Sequence, residues 1–303
     1  MDAFLHMLDL QAVLLIYLAG GFLCHALGIV TEDNQRKFTD FVLTILMPCM
    51  VFQSFKSVTP ELLGSAAQAL GVSLVICLVS WALGNALWRR MEPDRRDVAR
   101  YATLIDNAGF AGLPLASQAF GEAGLLYASA YLIPIRVFMW SAGVTMLSGE
   151  HASPAEIARK LATNPNIVAI VLGLVRGLAG VPLPDFLDRA LDEVGACVSP
   201  CSMIVIGAIA AQVDPRTLLE RDVVAYLPVR LLLIPLVAFV IVHAAGMPYE
   251  LAGTCMLEAG MPAASTTALL ASTYGRDAAY GSKLICASTV CSLVTVPLLM
   301  LLV

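Results

Sequence analysis

Charge is what this chain has least of. Asp, Glu, Lys and Arg make up 14% of its 303 residues, against 59% hydrophobic. A soluble globular domain carries roughly 25% charged residues, so a water-facing surface of ordinary size is excluded. The mean hydropathy of +0.81 points the same way. No basic face interleaved with aromatics is present, which excludes nucleic-acid binding. Also missing are Gly-x-Ser-x-Gly, His-Glu-x-x-His and a Gly-rich phosphate loop ending in Lys-Ser/Thr. Neither an enzyme nor a nucleotide-driven pump is therefore expected. The 8 cysteines lie in apolar stretches, with no loop pair to suggest a disulfide framework. Cys197 and Cys201 share a helical face, but no histidine stands near them; no metal and no cofactor is expected. The first basic residue, Arg36, follows a whole apolar stretch, so a cleaved secretory signal is not expected either.

What the chain has instead is apolar runs. At about 20 residues per crossing, ten stretches qualify, near 10–30, 36–55, 62–88, 99–119, 122–147, 160–180, 186–212, 222–245, 250–272 and 277–302. The expected fold is an all-α integral membrane protein. With the N-terminus outside, 13 of the 18 Lys and Arg residues fall in inner loops and three (Lys56, Arg176, Arg189) in outer ones. That bias places both termini on the outer side of a cell (inner) membrane. Five spans per half force the halves into opposite orientations. Three landmark pairs recur about 150 residues apart: Pro48 and Pro200, Pro114 and Pro262, Phe120-Gly121 and Tyr274-Gly275. Together they argue for two inverted five-helix repeats, 1–150 and 155–303, in one membrane domain. The joint at 148–154 is short and polar.

Two stretches stand out within this frame, Asn107–Ser117 and Glu258–Ser265, each centred on Gly-x-Pro (Gly112/Pro114 and Gly260/Pro262) with a serine three residues on (Ser117, Ser265). Proline removes a backbone donor and clashes with the preceding turn, while glycine loosens the chain. Helices four and nine are thus expected to be broken and to cross. Freed N–H and C=O groups at that depth are tolerated only where protein or a water-filled cavity satisfies them, and paired breaks are the best sequence pointer to a transporter's binding site. The half-helix after each proline is expected to present its N-terminus, an anion site, with the serine hydroxyls adding donors. Equally, small residues there let two helices cross closely. Asn107 lies two turns before Pro114, where its amide either meets a carboxylate or satisfies the break's own carbonyls.

Ionisable residues at membrane depth are costly and functional by default. Glu258 is a candidate coupling-ion site or a carboxyl bracing the crossing. Asp106, turned about 100° from Asn107, is the second coupling-ion candidate and is expected to pair with a cation elsewhere. Arg136, near mid-depth, is expected to bind a second carboxylate or to neutralise Asp106 or Glu258. Arg230 lies close to an inner end, so it is expected to snorkel to the interface.

Several of these pieces resemble the auxin efflux carrier family: Leu46–Phe52, Asn107–Pro114, Arg159–Gly173, Val229–Pro235 and Glu258–Ser265, in the family's order and from both halves. The family includes plant PIN-type carriers and bacterial permeases for malonate-like or auxin-like anions. The resemblance implies a ten-helix fold with scaffold and transport parts, crossing helices four and nine, a small organic anion as substrate and a homodimer. It also implies a substrate-binding role for Asn107. The expected function is a secondary transporter embedded in the lipid bilayer and working by alternating access, with proton coupling preferred. A sodium-coupled symporter of bile-acid type and a ligand sensor that binds without carrying are the rivals.

Overall fold

The structure is a computed structural model describing residues 2–31, 33–56, 59–149 and 153–303. Glu150, His151 and Ala152, the centre of the expected joint, lie outside the described residues. The chain is helical almost throughout. Among the described residues its one extended feature is an isolated antiparallel bridge between Asp106 and Ala263. Among the described residues five helical runs are long and apolar enough to cross a membrane: Glu61–Arg90, Ala108–Ser148, Asp185–Ala210, Arg221–Ala244 and Ala278–Leu302. A sixth is added if Pro154–Ala162 and Pro165–Ala179, bent by 63° at their junction, count as one span.

Asp2–Ala26 is one continuous helix; other apolar stretches are interrupted or locally widened, and proline explains the form of several of these irregularities. Wide π-helical turns cover Val42–Leu46, Ala108–Gly112 and Val229–Leu233. Each ends two residues before a proline: Pro48, Pro114 and Pro235. A proline removes one N–H and pushes against the carbonyl four residues back; an extra residue in the preceding turn relieves that clash while the helix continues. The carbonyl that Pro114 leaves unbonded, that of Phe110, accepts from Ser202 Oγ at 2.9 Å. Pro114 therefore does not break its helix. The chain breaks instead at 105–107, between Pro93–Leu104 and the π-helical turn. Ser117, expected in the first turn after the break, lies further along and away from it. In the second half the interruption does contain its proline: Tyr249–Ala259 ends, 260–265 is irregular, and Thr266–Thr273 follows. Gly121, at φ +63° and ψ −149°, kinks the long run after Pro114, a conformation that glycine reaches at little cost.

The helices pack as two groups. One contains Asp2–Ala26, the 35–53 segment, the bent pair 154–179 and Asp185–Ala210. Its tightest contact is where Gly21 meets Gly207, so close that a Cβ on either would overlap the other helix's backbone. Small residues of this kind let membrane helices approach. The second group holds Pro60–Leu87, both interrupted segments, the 122–148 and 221–244 runs and Ala278–Leu299. At one end an ionic network binds it: Arg95 reaches Glu220 and Asp277, both at 3.2 Å, and Arg276 reaches Asp94 at 2.8 Å. Lys283 also pairs with Glu220, and its hydrogen bond holds that loop carboxyl below its ordinary value.

Candidate functional site

The two interruptions lie against each other inside the second group. Asn107 N–H donates to the Pro262 carbonyl at 2.9 Å, and Ala264 N–H donates to the Ile105 carbonyl at 3.2 Å. Those two bonds make the bridge. Local side chains satisfy more of the exposed backbone: Asp106 Oδ1 accepts from Ala108 N–H at 3.1 Å, and Ser288 Oγ from Ala263 N–H at 3.1 Å.

Arg230 satisfies the remainder. It does not snorkel; it is fully buried. Its Nη2 pairs with Asp106 Oδ2 at 2.8 Å and donates to the Ala259 carbonyl at 3.1 Å. Its Nε donates to the Met261 carbonyl at 2.8 Å and its Nη1 to the Thr103 carbonyl at 3.4 Å. One guanidinium thus joins both interrupted segments. Asp106 is held by this pair.

Asn107 plays no such bracing part. Its side chain is buried, yet Nδ2 has no partner. It lines a narrow cleft between the two groups, with Pro262, Thr289 and Ser292 on its own side and Leu14, Leu18, Met203 and Ile206 opposite. The cleft holds about 20 Å³, room for one water at most. If that free amide meets ligand, Asn107→Ala should weaken binding by about tenfold, the worth of one hydrogen bond to a charged group. The measurement is affinity by thermal shift, with expression unchanged. Wild-type affinity in the variant would move the site elsewhere.

Glu258 has no exposed surface, and neither of its carboxyl oxygens has a partner. It packs against Gly112, where a Cβ would coincide with the carboxyl group. Gly112 is therefore where helix and acid meet, and Gly260 plays a different part, packed against Leu299.

Arg136 is the second buried cation, 8% exposed. Its side chain lies beside Gly109, in the turn that follows the first break. Nη1 contacts only the Met139 sulfur, at 3.5 Å, and Nε is unpartnered. Among the described residues no carboxylate comes within ion-pair distance of it; neither Asp106 nor Glu258 neutralises it. The guanidinium forms part of the wall of a cavity of about 390 Å³ between the two groups. Trp140, Asn166, Thr266, Arg36 and Asp40 also line it. Trp140 Nε1 and Asn166 Oδ1 are buried and unpartnered. A neighbouring cavity of about 460 Å³ contains Ser265, Gln35 and Gln212, and shares Arg36 and Leu269 with the first. The two flank the Thr266–Thr273 half-helix.

The other end of the inter-group seam has a smaller opening. A pocket of about 180 Å³ there includes Ser117, Gln53 and Asp192. Around it Lys56 reaches Asp192 at 3.2 Å and Glu122 at 3.8 Å, and Gln118 donates to Ser199 at 3.3 Å. Ser117 thus lines a different pocket from Ser265 and Arg136.

Trp140 and Asn166 escape sequence reasoning. Trp140 follows Arg136 by one helical turn, a spacing that places both on one face, and Asn166 sits in Asn164-Pro165-Asn166. Both signals were visible. Neither points to a cavity until the groups are packed together.

Comparison with known proteins identifies the family. A family model described as Membrane transport protein matches residues 6–158 and 150–300. An uncharacterized transporter of Methanothermobacter thermautotrophicus is 26% identical over 291 residues, covering 92% of each chain. An uncharacterized transporter of Methanocaldococcus jannaschii is 22% identical over 311 residues, 96% of this chain and 97% of that one. A Rhizobium meliloti protein, provisionally named a malonate transporter, is 23% identical over 267 residues, 84% of this chain and 83% of its own length.

Proposed function

The chain belongs to the Membrane transport protein family, the auxin efflux carriers, and from that premise we propose that it is a secondary carrier of a small carboxylate anion. One observation carries the anion: Arg136, buried and with no carboxylate among the described residues within ion-pair distance, on the wall of a cavity between two helix groups. A guanidinium stays ionised, and leaving a charge unpaired away from water is costly. A carboxylate in the cavity would remove that cost, with the Trp140 N–H and the start of the Thr266–Thr273 half-helix as further contacts. The name of the Rhizobium relative is compatible with this substrate class.

Our reading retains ten membrane passages in two inverted repeats. The short helices on either side of each break serve as halves of single passages. The second group would move as the transport part against the first as scaffold. We read the distribution of basic residues as putting both termini outside and the two large cavities on the cytoplasmic side; on that reading this conformation is open inward. Alternating access would close those cavities and open the seam around Ser117 and Lys56.

Glu258 is our choice for coupling. An ionised carboxylate at that point has neither hydrogen bond nor counter-charge, a cost of several kcal/mol. Proton uptake removes the cost, and the carboxyl packs against the segment that carries Asn107. Uptake of radiolabelled malonate into proteoliposomes should saturate and should accelerate under an acid-outside gradient. Glu258→Gln should abolish that acceleration while leaving counterflow exchange intact. Saturable binding with no flux would instead make the protein a sensor, and the carrier reading would fail.

A further inference from the structure

The oxygen atoms around Arg230 form a cation site in all but occupant. One carboxylate oxygen, Asp106 Oδ2, and three main-chain carbonyls, of Thr103, Ala259 and Met261, converge on one guanidinium. They come from both interrupted segments: Thr103 just before the first break and Asp106 within it, Ala259 and Met261 around the second. Carboxylate and carbonyl oxygens are the ligands that hard cations take. Carbonyls at unwound membrane segments are where coupling cations are held in other carriers. Here the position is filled from the side by a residue of the Val229–Leu233 turn, whose widened backbone lies two residues before Pro235.

We propose that Arg230 is a tethered cation: it supplies permanently the positive charge that holds the two interrupted segments together, so the crossing assembles without sodium or any other free cation. The charge enters with folding rather than with each transport cycle. Arg230 acts through Asp106 and the carbonyls, never on the substrate, and is a positioning residue. This goes beyond the choice of substrate and holds whether or not a carboxylate is carried.

The test uses the purified full chain and reads melting temperature against added cations. The wild type should melt at the same temperature in sodium, potassium or choline chloride. Arg230→Ala empties the cage and should melt lower. Millimolar guanidinium or sodium should then raise its melting point by about 3 °C, as a ligand selective for the folded state does. Adding Asp106→Asn should remove that response. A wild type that needs sodium would overturn the proposal, as would an Arg230→Ala protein indifferent to every cation. Should Arg230→Ala not fold, Arg230→Lys decides. One ammonium on the same oxygens should preserve folding and cation indifference, and failure of both variants to fold rejects a cage that accepts cations. These outcomes involve no flux, so a failure of the carrier reading would be seen separately, as saturable binding without transport.

Discussion

Arg136→Gln should abolish tight anion binding while making the ligand-free protein more stable. Truncating one partner of a buried, hydrogen-bonded charge pair costs about 2–5 kcal/mol, so affinity should fall by about thirtyfold or more. The opposite sign in stability follows from the same burial. With no anion in the cavity, the guanidinium has only a sulfur contact and an unpartnered Nε. Replacing an unpaired buried charge by a neutral amide removes a desolvation cost, and function is commonly kept at such an expense in stability. Thermal melts with and without malonate measure both effects in one experiment. Arg136→Lys should fall between, since an ammonium keeps the charge but loses the planar fork. A variant that melts lower than wild type and still binds malonate normally would make Arg136 a packing residue. The anion would then lie elsewhere, and Asn107 would become the first place to look.

Gly112→Ala is the second large effect, and it comes from volume rather than charge. A methyl group at 112 would occupy the place of the Glu258 carboxyl. Both residues are fully enclosed, so neither can turn out into lipid or water. Overpacking of this kind costs about 1–3 kcal/mol, a fall in melting temperature of about 2–8 °C for a chain of this class. Transport should suffer more than stability, because the displaced carboxyl is the one assigned to coupling. The contact is tested by a double-mutant cycle. Shortening the acid with Glu258→Ala should restore most of what Gly112→Ala loses, giving a coupling energy of about 1–3 kcal/mol. Additive losses would mean that the two residues do not touch.

The carboxyl at 258 and the glycine at 112 also show where sequence reading stops. Each was recognisable alone, the acid from its membrane depth and the glycine from its place near a proline. Their contact was not recognisable, because 146 positions separate them. The break in the first half shows the same limit at shorter range. Gly112 and Pro114 predict an interruption, and the segment is interrupted, but at 105–107. A proline costs its helix a donor only if the turn before it cannot widen, and here it widens, with Ser202 from the other group accepting responsibility for the free carbonyl as its donor. The break moved to where Asp106, Arg230 and the facing Pro262 could satisfy more backbone at once.

Arg230 is the clearest case of a misleading local count. Distance along the chain from the nearest loop puts it near an interface, where a long side chain would reach water. The packed structure turns it inward to four oxygens from two other segments. Arg136 was legible as a buried cation, yet whether an acid or a cavity met it depended on which helices faced it.

By itself the sequence determined that this chain lives in a membrane, that two of its segments cannot be regular helices, and that Asn107 and Glu258 sit beside the irregular turns. Those conclusions follow from hydropathy and from the missing N–H of proline, properties that act within a few residues. Only the tertiary structure decided which carbonyls Arg230 binds, that Arg136 is left without a partner, and where the cavities open. Buried charges and freed backbone groups must find partners in a medium without water, and those partners come from whichever distant segment packs alongside.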